Sequence, residues 1–258
     1  MWIFRRRTFA VWEALFVLIV IAAAASVLAK VPKGLQPQAS TNPGEIIGSV
    51  YFRAEKPKPQ PVDMSSDPAC AALGEESVYA WDSEINENGT LPNAFVYVKS
   101  GSGNLSASTP HNSIVLTQQG CLYEPHVLGV MTGQPIQVVT LDPTTHNVHF
   151  MPKVNRDWNV TQEPGSASVI HVFTQPEVMI PVHCNIHPWM KAYVGVVSNP
   201  YYAVTDKQGN FVIKNVPPGD YAVDVWTADF GTQEQHVTAR TGESSPVNFT
   251  MERVKSSE

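Results

Sequence analysis

The sequence is short of charge, of cysteine and of helical periodicity. Charged residues make up 16% of the 258 positions against 43% hydrophobic, a balance that excludes a largely disordered chain and leaves room for one large domain or two modest ones. Beyond the N-terminus helical spacing is hard to find. Short runs of Val, Ile, Tyr and Phe recur instead between clusters of Gly, Pro, Asn and Asp, and 21 prolines punctuate the chain. That pattern predicts an all-β protein. Basic charge is also scarce. With residues 1–30 set aside, 13 of the 17 basic and 22 of the 23 acidic residues remain, a net charge of −9. Such a balance argues against a nucleic-acid partner. It suits a soluble surface or a basic docking partner.

Three cysteines are an odd number, so two can pair while one serves another purpose. Cys70 and Cys121 sit in Asp67-Pro68-Ala69-Cys70 and Gly120-Cys121-Leu122-Tyr123, turn-like surroundings without spaced ligand residues, and are expected to form a disulfide. Cys184 stands among histidines. A disulfide agrees with an exported chain, and the N-terminus points the same way. Arg5-Arg6-Arg7 precedes an apolar stretch from Phe9 to Ala29 in which Glu13 is the one charge. Residues 1–29 read either as a membrane anchor or as a signal cleaved near Ala29. Both readings place the remainder in the periplasm. Arg6-Arg7-Thr8-Phe9 also has the look of a twin-arginine signal.

Residues 30–44, with Pro32, Gly34, Pro37 and Pro43, read as a linker. Strands are expected over Ile46–Phe52 and Pro92–Val98, followed after a loop at 101–110 by a series running to about Ser198. The segment Thr205-Asp206-Lys207-Gln208-Gly209-Asn210-Phe211 turns into a strand, and Val216-Pro217-Pro218-Gly219-Asp220-Tyr221 turns into another. This part resembles the carboxypeptidase regulatory-like, transthyretin-like β-sandwich. The family's two earlier strands are matched upstream by Gly48-Ser49-Val50 and by Leu91-Pro92-Asn93-Ala94-Phe95-Val96-Tyr97-Val98. The resemblance implies a smaller sandwich built from 45–100 together with 199–252, with 101–198 inserted between. Two tandem domains divided near residue 199 are the alternative.

The strongest chemical signal is His183-Cys184-Asn185-Ile186-His187-Pro188-Trp189-Met190, which puts a thiol, an imidazole and a thioether on one loop. Asp142-Pro143-Thr144-Thr145-His146-Asn147-Val148-His149 offers a second imidazole at the end of a strand. Two histidines, one cysteine and an axial methionine make a donor set that selects copper and compromises between the preferences of Cu(II) and Cu(I). His146-Asn147 and Cys184-Asn185-Ile186-His187, with the strand entry at Gly133-Gln134-Pro135-Ile136, resemble the cupredoxins, plastocyanin-like ones especially, over about residues 115–198. The resemblance implies a Greek-key β-sandwich or barrel and one mononuclear copper held by His146, Cys184 and His187, with Met190 axial. Met190 follows His187 more closely than the plastocyanin-like pattern has it, at a spacing similar to that of the binuclear copper site of cytochrome oxidases, whose second cysteine is absent here.

From the same family, Asn147 is expected to hydrogen-bond across the two ligand loops. Pro188, Trp189 and Tyr193 would flank the imidazole edge of His187 and form a docking patch, the alternative being that Trp189 only caps the end of the barrel. His149 and His183 are expected in supporting or surface roles, and His111, His126, His171 and His236 have no constellation around them. The implied function is one-electron transfer between redox proteins, such as a c-type cytochrome or a membrane oxidoreductase, without catalysis by the chain itself. Copper storage or delivery, a subunit of a copper enzyme and an adhesion role for the outer sandwich are the alternatives.

Overall fold

The computed structural model describes residues 42–252 apart from 55, 57, 59–60, 74–83 and 104. The expected anchor or signal at 1–29 and most of the 30–44 linker lie outside the described residues. Among those described, no helix is long and apolar enough to cross a membrane. The described residues are all-β, with 51% strand and 3% helix.

Two of the four sheets draw on both ends of the chain. β1 (Gly44–Phe52) and β2 (Phe95–Gly101) come first, and β12 (Tyr202–Val204), β13 (Asn210–Val216), β14 (Gly219–Thr227), β15 (Gly231–Ala239), β16 (Ser244–Pro246) and β17 (Phe249–Met251) come last. β1 lies between β13 and β16 and also pairs with β17, while β2 lies between β12 and β14, with β15 at the far edge. The shared core of these sheets holds Ile46, Val50, Val96 and Val98 from the early strands and Phe211, Ile213, Val223, Val225 and Phe249 from the late ones. Period-2 alternation explains this: in β13 Phe211 and Ile213 are buried and Val212 is exposed. Gly48 has no room for a side chain, because a Cβ there would meet the Val247 carbonyl oxygen at 1.7 Å.

The chain between them builds a second pair of sheets. β3 (Ile114–Gln119), β4 (Leu122–Glu124), β6 (Pro135–Thr140) and β9 (Val169–Val172) form one, in the order β4-β3-β6-β9. The other holds β5 (Val127–Met131), β7 (His146–Phe150), β8 (Trp158–Gln162), β10 (Glu177–His183) and β11 (Lys191–Val197), in the order β5-β11-β10-β7-β8. Leu116, Tyr123, Val138, Phe150, Ile180, Val182 and Val194 fill the space between them. The two cores meet where β5 and β11 run parallel with Gly129 opposite Gly195. The Phe95 ring from β2 occupies the space that side chains would need there, 2.7 Å from a Cβ on Gly129 and 2.4 Å from one on Gly195.

Three details differ from expectation. The second strand begins at Phe95 rather than Pro92, because Asn93 turns the chain with φ 58°, and it runs on to Gly101. β1 begins at Gly44, two residues before the expected start at Ile46. Cys70 lies not in a turn but in a one-and-a-half-turn helix, α1 (Pro68–Leu73). Asp67 caps it, its Oδ1 accepting from the N–H groups of Ala69 at 2.7 Å and Cys70 at 3.2 Å, and Pro68 takes the first position, where a missing N–H costs nothing.

Candidate metal centre

β7 and β10 are neighbours, with His149 opposite His183, and the site forms where the two strands end. Past His183 the chain folds into a short loop closed by its own backbone. Met190 N–H donates to the His187 carbonyl at 2.9 Å, and Cys184 N–H donates to the Met190 carbonyl at 3.2 Å. Tyr123 clamps the two ligand-bearing strands together, its hydroxyl donating to the carbonyls of Asn147 and His183. Burial, with Cys184 nearby, pushes that hydroxyl far above its usual range, so it stays a donor.

The loop and the strand end bring His146, Cys184 and His187 together, with one donor atom from each inside 4.8 Å of the others. The two Nδ1 atoms lie 3.0 Å apart, and His187 Nδ1 lies 3.8 Å from Cys184 Sγ. All three residues are at most 3% exposed. Each imidazole is held from behind by a carboxylate: His146 Nε2 donates to Asp142 Oδ2 at 2.7 Å, and His187 Nε2 donates to Asp67 Oδ2 at 2.9 Å. A carboxylate only accepts, so the Nε2 of each ring carries a proton and both Nδ1 atoms face Cys184. Asp142 is itself fixed by the N–H groups of Gly120 at 2.7 Å and Cys121 at 2.8 Å. Burial acts to raise its pKa, but His146 and these two N–H groups outweigh that and hold it below the usual carboxylate range.

Cys184 shows the same competition. Burial raises the thiol, yet His146 and the N–H groups of His187, Asn147 and Ile186 outweigh it and bring the thiol from 9.0 down to about 7. Burial lowers His146, and Asp142 and Cys184 overturn that, raising it from 6.5 to about 9. In metal-free protein the thiolate absorbance of Cys184 should therefore appear with a midpoint near pH 7, and His146→Gln should move that midpoint upward. The depressed thiol contributes stability above pH 9.0 and loses it as pH falls through about 7, whereas the raised His146 contributes below pH 6.5 and loses it as pH rises through about 9. Between pH 7 and 9 the two slopes oppose each other.

The other expected residues fall as follows. Asn147 spans the ligand loops: its N–H points at Cys184 Sγ at 3.4 Å, its Oδ1 accepts from Asn185 N–H at 3.2 Å, and its amide donates to Asn159 and to the Val160 carbonyl. Met190 is fully buried in the same core cluster as Cys184. Cys70 and Cys121 are joined by a disulfide. His149 binds Asp157 and Asn185 away from the ligand atoms. Pro188 is exposed, and Trp189 packs over the disulfide with its Nε1 donating to the Cys121 carbonyl at 3.0 Å. Tyr193 does not join them, because on β11 it packs against Trp226 and His126 at the junction of the two cores. Trp189 does flank His187, with ring centroids 5.1 Å apart, while Asp67 covers the Nε2 edge; His187 is 1% exposed.

Two functional residues escaped sequence reasoning. Asp142, four positions before His146, had a signal that spacing alone leaves ambiguous. Asp67, 120 residues from His187, had none.

The donor set fits copper: one thiolate, two imidazoles presenting the same nitrogen, and a carboxylate fixing each ring. The two further clusters of possible ligands, Asp67 with Cys70 and His187 and Cys121 with Asp142 and His146, each include a disulfide sulfur and therefore no free thiol.

Comparison with known proteins finds two likenesses. Residues 188–252 match the model of the carboxypeptidase regulatory-like domain. Among solved structures, the chain is similar to a purple cupredoxin from Nitrosopumilus maritimus, at 19% identity over 32% of this chain and 97% of that one, with a TM-score of 0.28. A mutant of amicyanin with Cu(I) is similar at 24% identity over 39% and 97%, with a TM-score of 0.30. A copper-containing nitrite reductase from Thermus scotoductus is similar at 18% over 38% of this chain, with a TM-score of 0.31, and the likeness takes in only 25% of that reductase. No curated protein matches the sequence.

Proposed function

We propose that this chain is an exported copper protein that carries single electrons between redox partners, held to a membrane through residues 9–29 or released after cleavage near Ala29. One observation carries the reading: His146 Nδ1, His187 Nδ1 and Cys184 Sγ converge in a buried site with a carboxylate behind each imidazole. Copper bound there would supply a Cu(II)/Cu(I) couple.

The chain's residues account for the rest. Cys184, with its thiol lowered to about 7, offers a thiolate near neutral pH. The N–H groups of Asn147 and His187, each 3.4 Å from Sγ, hold that sulfur in place. Asp142 and Asp67 hold both rings against rotation, so the donor positions need not rearrange when the charge changes. Burial excludes water from the donors, and Met190, buried in the same cluster, would add its thioether to the set that holds the metal. The disulfide suits an oxidising compartment such as the periplasm. A redox protein of the c-type cytochrome or membrane oxidoreductase class is the expected partner.

Copper delivery is the competing reading, and release separates the two. The copper-loaded protein is expected to cycle reversibly through one-electron reduction while retaining its metal against a competing chelator. Rapid loss of copper to the chelator in either oxidation state would overturn the carrier reading in favour of delivery.

A further inference from the structure

The residue that closes the metal centre comes from outside the sheets that build it. Asp67 lies in the connection between β1 and β2, the two strands completed by the C-terminal part of the chain. That connection crosses to the end of the other sandwich and lays residues 62–73 against the site: Val62, Met64 and Cys70 pack with Cys121, Leu122 and Trp189. Asp67 does two things there with different oxygens. Oδ1 caps α1, while Oδ2 takes the hydrogen bonds of His187 Nε2 at 2.9 Å and of the Thr144 hydroxyl at 3.0 Å.

The tether is covalent. Cys70, three residues after Asp67, is bonded to Cys121, whose own N–H binds Asp142, the partner of His146. A continuous path therefore links the rear nitrogens of the two imidazoles: His187, Asp67, α1, the disulfide, the Cys121 N–H, Asp142 and His146. Neither carboxylate can move without disturbing the other's support. Sequence neighbours cannot substitute for Asp67, because the residues flanking His187 are Ile186 and Pro188.

We propose that Asp67 is a positioning residue for His187, delivered by a disulfide-tethered cover, and that it sets both the orientation of that imidazole and its closure to solvent. This deepens the copper reading and rests on it. A carboxylate on Nε2 makes the ring more electron-rich and favours Cu(II) over Cu(I). The cover also places α1, rather than bare imidazole, between His187 and any protein that docks at this end.

The test separates the two jobs of Asp67. Asp67→Ser keeps a good helix cap but is too short to reach His187, and Asp67→Asn keeps the length without the charge. Full-length wild type and the two variants are compared, with the disulfide verified in each. In metal-free protein, the His187 Nε2–H resonance of the wild type is expected to be protected from exchange with water, and Asp67→Ser is expected to abolish that protection. In the copper-loaded protein Asp67→Ser should raise the reduction potential and weaken Cu(II) binding about 10–100-fold, with Asp67→Asn between it and wild type. The variant Cys70→Ala/Cys121→Ala, which keeps Asp67 and removes the tether, should shift exchange in the same direction. Equal Nε2–H exchange and equal potential in wild type and Asp67→Ser would overturn the proposal. Failure of the copper reading would show differently, as wild-type protein that takes up no copper whatever the exchange result.

Discussion

Asp142→Ala is expected to cost the protein about 3–5 kcal/mol of stability, the range for breaking a buried pair by removing one partner, and to weaken copper binding about 10–100-fold. The reason is the number of buried groups that converge on one carboxylate. Its oxygens accept from Gly120 N–H, Cys121 N–H and His146 Nε2, all within 2.8 Å. Alanine would leave these donors without a partner in a place where Asp142 is 6% exposed and His146 not exposed at all. Each unsatisfied buried donor costs about 1–3 kcal/mol. The two effects have separate readouts: chemical denaturation of metal-free protein for the first, competitive copper titration for the second. Asp142→Asn, which keeps the shape but turns a donor towards donors, should fall between. Unchanged stability and unchanged affinity in Asp142→Ala would mean that the carboxylate supports neither the turn at Gly120 nor the imidazole.

Sequence pointed to His146, Cys184 and His187 because two of them are local: a loop that puts Cys184 three residues before His187 places both at the end of β10, and His146 opens β7, the strand paired with β10. The all-β class was legible from the short runs rich in Val, Ile, Tyr and Phe that recur between clusters of Gly, Pro, Asn and Asp. The carboxylates were not. Asp67 lies 120 residues from His187 in sequence, and a lone acidic residue in a Pro-containing segment resembles any solvated turn. Nor was α1, since six residues are too few to show helical periodicity, although Asp67-Pro68 is a helix start by its chemistry. Tyr193 illustrates the opposite error. It follows Trp189 closely in sequence, but the intervening turn and the alternation of β11 send its ring to the core junction beside Trp226. Nearness along the chain across a strand start is a poor guide to a shared surface.

The junction itself required the three-dimensional fold. Gly129 and Gly195, far apart in sequence, together form the gap into which Phe95 fits.

The most direct measurement of the central claim is the optical and paramagnetic-resonance spectrum of copper-loaded protein beside Cys184→Ser. Cys184 is the chain's free thiol, with Cys70 and Cys121 joined to each other, and its sulfur lies against both ligand imidazoles. Serine keeps the size of the side chain and removes the soft donor, while His146, His187 and their carboxylates stay as they are. Wild type should show an intense visible thiolate-to-copper absorption. The variant should lose it completely and, if it binds Cu(II) at all, give the spectrum of a site with nitrogen and oxygen donors alone. Indistinguishable spectra from the two proteins would contradict the assignment of Cys184, and with it the account of this site as a copper centre.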